Sequence, residues 1–155
     1  MKKIYFYWIF QIIGWTGCCL FELLAYYNSF GFQIGLLVNA FATLSLGIAI
    51  THFYRLLIKK LSWLDLPLQK LFPRIIGSVA LMANVMTLVG LPIDYYTVPA
   101  MQEVIVNLNL MLVFLFVITW GKYLLLWALF YHLFQYYQRS NTIRLIHIAN
   151  QLPNK

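Results

Sequence analysis

Four apolar stretches, running approximately from Tyr5 to Tyr27, Ile34 to Tyr54, Ile75 to Tyr96 and Val104 to Tyr137, occupy most of a 155-residue chain. A bilayer core about 30 Å thick is crossed by roughly 20 residues in helical form, so each stretch is long enough to span it. The breaks between them are short. Asn28-Ser29-Phe30-Gly31-Phe32-Gln33 has the composition of a tight helical hairpin, and Thr97-Val98-Pro99-Ala100-Met101-Gln102-Glu103 is equally brief. Neither can hold a separate folded domain. Composition points the same way: 63% of residues are hydrophobic and only 10% charged, whereas a soluble domain is about 45–50% apolar and about 25% charged. A water-soluble enzyme of this size would have too few charges to cover its surface. The excess of 11 Lys and Arg over 4 Asp and Glu gives +7, but basic nucleic-acid binders do not carry such apolar runs. The partner implied is a lipid bilayer, with no nucleic acid.

The Met1-Lys2-Lys3 start is followed by an apolar run longer than the roughly 7 to 15 residues of a signal-peptide core, and no small-x-small cleavage site follows. It reads as a retained first helix. Lys and Arg stay cytoplasmic when loops are short, and ten of the eleven basic residues fall on one side of this layout. They are Lys2 and Lys3, then Arg55, Lys59, Lys60, Lys70 and Arg74 between helices two and three, then Arg139, Arg144 and Lys155. The expectation is an all-α integral membrane four-helix bundle with both ends cytoplasmic and helix four extended into the cytoplasm. Residues 1–138 form the transmembrane domain and 139–155 a short cytoplasmic tail. Tyr5, Tyr7, Trp8, Tyr26, Tyr27, Tyr54, Trp63, Tyr95 and Tyr96 lie near the expected ends, as interfacial aromatic belts do. The connector from Arg55 to Arg74 mixes bases with leucines, as an interfacial segment does, and Pro67 and Pro73 are expected to interrupt any helix there. Adjacent Cys18 and Cys19 point to different helix faces and read as small packing residues.

Several segments occur in a recognisable order: Gln11-Ile12-Ile13-Gly14-Trp15, Thr51-His52-Phe53-Tyr54-Arg55, Trp63-Leu64-x-Leu66-Pro67-Leu68 with Pro73-Arg74, and Leu126-Trp127-Ala128-Leu129-Phe130-Tyr131. Over residues 1 to about 140 this set resembles the N-terminal membrane domain of LytS/YehU-type sensor histidine kinases, found with LytTR-type response regulators in Bacteroidetes-like bacteria. That family continues into an Asn-Pro-His-Phe-Leu-Phe-Asn segment and an ATP-binding domain. Here the tail from Ser140 to Lys155 holds one histidine, His147, and neither feature. The resemblance therefore implies a sensor's membrane part without a kinase core, not an enzyme in itself, in the bacterial inner membrane.

Ionisable groups inside a membrane are costly and make default site candidates. Counting along the helices places Glu22 near the outer interface, either as a headgroup-level carboxylate or as part of an outer polar pocket with Asn39, Asn107 and Asn109. With helix four starting at Val104, Lys122 lies about 27 Å deeper and snorkels to the inner interface; with a span nearer 112–132 it sits at midplane and needs a partner. The former register is expected. His52, Tyr54, Arg55, Lys122, Trp127 and Tyr131 are candidates for signal transmission. A bis-His haem between His52 and His132 is conceivable, but hydrogen bonding is the simpler role for His52, and no cofactor or metal is expected. Met82 and Met86, one turn apart, read as packing. Positions 125, 129, 132, 136, 139, 143 and 146 follow heptad spacing yet read Leu, Leu, His, Tyr, Arg, Ile and Ile, a poor coiled coil. The function expected is a sensory and signal-transmitting module acting as a homodimer or through a separate histidine kinase and response regulator. The alternatives are a small four-helix transporter, whose midplane carboxylate Glu22 does not match, or a structural or nonfunctional remnant.

Overall fold

The computed structural model describes residues 2–151. The described residues are helical throughout apart from short turns: α1 (Lys2–Phe30), α2 (Ile34–Lys60), a single 3-10 turn (Trp63–Asp65), α3 (Leu68–Thr97), α4 (Pro99–Val106) and α5 (Leu110–Gln151). Four of these helices, α1, α2, α3 and α5, are long and apolar enough to cross a membrane, so the chain is a multi-pass membrane protein. Apolar side chains cover the outside of the bundle; Phe41, Leu81, Leu88 and Leu110 are all exposed. In water this surface would aggregate, whereas in a bilayer it is solvated by acyl chains.

Local chemistry sets the turns. Gly31 takes a left-handed φ of 75°, and its amide donates to the Tyr27 carbonyl at 2.9 Å, ending α1 in the conformation glycine adopts without a Cβ penalty. Ser62, at φ 51°, is the non-glycine residue in the same region and turns the chain after α2. Within the helices Ser45, Ser78, Asn84, Thr87 and Thr97 each donate to the carbonyl four residues back. Their polar groups are thereby satisfied without water.

The structure corrects the expected boundaries at two places. Helix four does not start at Val104. α4 ends at Val106 with Asn107 as its C-cap, and α5 starts afresh after Asn109, whose side-chain oxygen accepts from the Leu112 amide at 2.9 Å. Asn107 and Asn109 compete with the helical backbone for hydrogen bonds, which is why an apolar run breaks there. Pro73 does not interrupt the connector: it lies inside α3, while Pro67 takes the N-cap. The amide that proline lacks would have bonded Gln69, which sits in the first turn of α3 at an exposed position.

α2 packs against both α1 and α3, and α3 packs against α5, so the helices follow one another around the bundle. α1 and α5 meet through long side chains rather than close backbones. The main core includes Trp15, Tyr54, Ile58, Leu71, Met86, Leu124 and Trp127, with Met82 beside Met86. A smaller core at the hairpin end holds Leu36, Val98 and Met101. There α2 and α3 come so close that a methyl group on Gly35 would lie 1.6 Å from the Thr97 carbonyl oxygen. Of the expected interfacial aromatics, Tyr7, Tyr54 and Trp63 are instead buried in the core, whereas Tyr5, Tyr27 and Tyr96 are exposed. The difference lies in which helix face each occupies, which proximity to a helix end does not specify.

Candidate functional site

Midway along the bundle three helices are joined by a polar knot. Gln11 is fully buried on α1. Its amide nitrogen donates to Thr51 Oγ1 and to the Ile48 carbonyl at 3.2 Å, and its amide oxygen accepts from Trp127 Nε1 at 2.8 Å. Trp15 Nε1 donates to the same Thr51 hydroxyl at 3.1 Å, and that hydroxyl in turn donates to the Gly47 carbonyl at 2.7 Å. Every donor in the set has an acceptor, as a low-dielectric setting demands. Gly47 makes the arrangement possible: a Cβ there would stand 2.5 Å from the Trp15 ring. The knot gathers Gln11, Trp15, Thr51 and Trp127, residues from three of the four ordered segments.

Next to the knot, toward the end of the bundle where α1 begins and α2 finishes, lies an aromatic layer. Trp127 and Tyr131 stack with centroids 5.3 Å apart and planes 5° from parallel. Tyr54 meets Trp63, Trp127 and His132 edge-on, and Tyr7 meets Tyr131. The two histidines have separate partners. Tyr7 Oη lies 3.3 Å from His52 Nδ1, and Tyr54 Oη 3.2 Å from His132 Nε2; Trp8 stacks on His52. Each is thus engaged by a different tyrosine, and among the described residues no group of three His, Cys, Asp or Glu is placed to hold a metal. Arg55 lays its guanidinium over the Tyr7 ring, 3.7 Å from the centroid, a cation–π contact. Tyr54, Arg55, Trp127 and Tyr131 therefore share one layer, with His52 at its edge.

Lys122 does not belong to it. It lies on α5 17 residues before Arg139, about 26 Å along the axis, and its ammonium is 4.7 Å from the Tyr123 ring centroid and 6.0 Å from that of Phe21. The expected register counted from a helix beginning at Val104; α5 begins at Leu110, six residues later. Tyr123 beside it donates to Glu22 Oε1 at 2.5 Å, tying α5 to α1.

Glu22 and Asn39 line a small cleft together with Cys19, Thr43 and Asp94. Its volume of about 20 Å³ is enough for about one water molecule. Asn39 Nδ2 donates to Asp94 Oδ1 at 2.5 Å and to Thr97 Oγ1 at 3.3 Å. Asp94 is buried, and its place in the cleft was not read from the sequence. Asn107 and Asn109 are not in this cleft. Both are exposed at the α4–α5 turn, where Asn107 donates to the Glu103 carbonyl at 2.9 Å.

At the opposite end a much larger groove of about 1000 Å³ opens between α1, the end of α2 and the outgoing part of α5. Tyr7, Phe10, Arg55, Lys59, Phe130 and Tyr131 line it, together with Ser62, Asp65, Phe134 and Arg139. Arg139 closes one side by donating to Asp65 and to the Leu64 carbonyl at 2.8 and 2.9 Å. Both partners are exposed, which makes the pair weak.

The expected heptad seam on α5 is already occupied in part within the chain. His132 is buried against Tyr54 and Leu125 packs on the core, while the side chains of Ile143 and Ile146 lie outside the described residues, as do residues 152–155 of the tail. His147 is likewise outside for its side chain. Comparison with protein-family models, with curated proteins and with solved structures gives no match to the chain.

Proposed function

We propose that this protein is a membrane-embedded sensory and signal-transmitting module, similar to the input part of a sensor histidine kinase, placed in the bacterial inner membrane with both ends cytoplasmic. The observation that carries the reading is the polar knot on α5. Trp127 joins that helix to Gln11 on α1, and Gln11 and Trp15 both join Thr51 on α2. The helix so gripped is continuous for 42 residues, about 63 Å at 1.5 Å per residue, more than twice a bilayer core. A rearrangement among α1 and α2 thus reaches the far end of α5 through one rigid rod. Two packings of the bundle, biased by a ligand or by the state of the lipid, are enough to produce an output there. The one-sided basic residues support the orientation, and the ordered sequence segments support the resemblance. A homodimer, or a separate kinase with its response regulator, would receive the output.

The small-transporter alternative has less behind it, because the cleft holding Glu22 accommodates about one water rather than a substrate. The test is a distance measurement on the whole chain in lipid nanodiscs. With spin labels at Leu61 and Gln138 in a background lacking Cys18 and Cys19, Gln11→Leu is expected to shift or broaden the separation. An unchanged distribution in a folded variant would show that the knot does not govern α5, and the reading would fall. Proton-coupled transport in proteoliposomes, abolished by Glu22→Gln, would replace it with the transporter.

A further inference from the structure

We propose that the groove beside Arg55 is a binding site for one anionic phospholipid. Its phosphate would meet Arg55 and Lys59, and its acyl chains would leave between α1 and α5.

Charge comes first. Arg55, Lys59, Lys60, Lys70, Arg74 and Arg139 lie at this end of the bundle, and of the four acidic residues only Asp65 lies with them. Asp65 is engaged by Arg139. The two cations on the α2 wall of the groove, Arg55 and Lys59, form no ion pair among the described residues. Arg55 is half-buried with its Nε shielded from solvent; a shielded donor without an acceptor is costly, and the Tyr7 ring face under the guanidinium compensates only part of that cost.

Hydrogen bonding gives an independent second line. Arg55 Nε and the Tyr131 hydroxyl are buried without a partner in hydrogen-bond geometry among the described residues; the guanidinium and the hydroxyl are close neighbours, and both residues line the groove. Arg55 Nε–H can only donate and a tyrosine hydroxyl is a ready donor, so a ligand rich in acceptor oxygens completes them. Phosphate is such a group, and arginine suits it geometrically.

Size and walls then choose the source. About 1000 Å³ is at the upper limit of small-molecule sites, far beyond what an inorganic anion fills. The apolar part of the lining includes Phe10, Phe130, Leu133, Phe134 and Tyr137, all exposed on the outside of the bundle. Phe10 and Phe130 meet edge to face with centroids 6.2 Å apart across the α1–α5 seam. A cationic recess flanked by exposed aromatic and aliphatic side chains fits a headgroup with chains attached, drawn from the leaflet at the basic end.

The experiment uses the full chain extracted in mild detergent, with bound lipid counted by native mass spectrometry and thermal stability followed with added lipid. One phosphatidylglycerol per chain is expected to be retained. Added phosphatidylglycerol is expected to raise the Tm, while phosphatidylcholine and inorganic phosphate at equal concentration leave it unchanged. Arg55→Gln and Lys59→Gln should each lower retention about fivefold, the equivalent of about 1 kcal/mol per basic residue at an anionic surface. Lys70→Gln with Arg74→Gln, at the same end but outside the groove, should retain the lipid. Lys59 is exposed, so its substitution keeps the assay decisive if Arg55→Gln does not fold. Equal retention in the groove and control variants, or equal loss in both, would reduce the effect to diffuse surface charge and overturn the site. A matching Tm rise with phosphate alone would make it a free-anion site, and one with phosphatidylcholine would remove the charge selectivity; either overturns the proposal.

Discussion

Gln11 is wholly buried in the middle of an apolar helix, where its amide serves three groups at once: Thr51 Oγ1, the Ile48 carbonyl and Trp127 Nε1. Replacing it with leucine leaves the Trp127 N–H without an acceptor. Single interhelical hydrogen bonds in membranes are worth roughly 0.6 kcal/mol, but an orphaned buried donor costs about 1–3 kcal/mol. Gln11→Leu is therefore expected to lose about 2 kcal/mol in reversible unfolding from mixed micelles, within the range for an orphaned donor. Gly47→Ala attacks the same knot sterically by pushing the Trp15 ring aside, and red-shifted, less polarised tryptophan fluorescence is the expected sign. At Glu22 the two partners are unequal. Glu22→Gln keeps an oxygen to accept from Tyr123, whereas Tyr123→Phe strips a carboxylate inside the membrane of its donor. The Tyr123 variant should thus unfold more readily than the Glu22 one, and the opposite order would show that the carboxylate is well solvated. Gln11, Trp15, Thr51 and Trp127 stand out in the sequence as separate motifs. Their convergence does not, since helical periodicity tells which face a residue occupies but not which helix will meet it. Asp94 escaped for the same reason: its partner Asn39 is on another helix, 55 positions away.

At the scale of elements, the four spanning helices follow from the lengths of the apolar runs, because hydrocarbon forces each run to satisfy its own backbone. The break between α4 and α5 was hidden by the apolar residues on either side of Asn107-Leu108-Asn109, yet those two asparagines were its signal. Asn109→Ala removes the cap from α5 and is expected to cost about 1 kcal/mol, read as faster amide exchange at Leu112 and Val113 with the rest of α5 unaffected. The proline error has a different origin. A proline six residues past an N-cap ends a helix in water more readily than in a bundle, where α3 is held on both sides by α2 and α5.

For the whole molecule, the proposed direction across the bilayer rests on the asymmetric charge. In cells lacking Cys18 and Cys19, cysteines placed at Ser29 and at Asn107 should react with an impermeant maleimide added outside, and cysteines at Lys60 and Arg144 only after permeabilisation. Labelling of Arg144→Cys from outside would reverse the orientation and remove the basis for a cytoplasmic output. The groove was beyond the reach of the sequence, since it depends on α1 and α5 meeting through side chains while their backbones pack elsewhere. Gly35 bears on how that gap behaves. With the first turn of α2 pressed against Thr97, the hairpin end is clamped, and any rocking of these helices must pivot there like the closed end of a pair of tweezers. The widest travel then falls at the opposite tips, where Arg55, Lys59 and the groove lie.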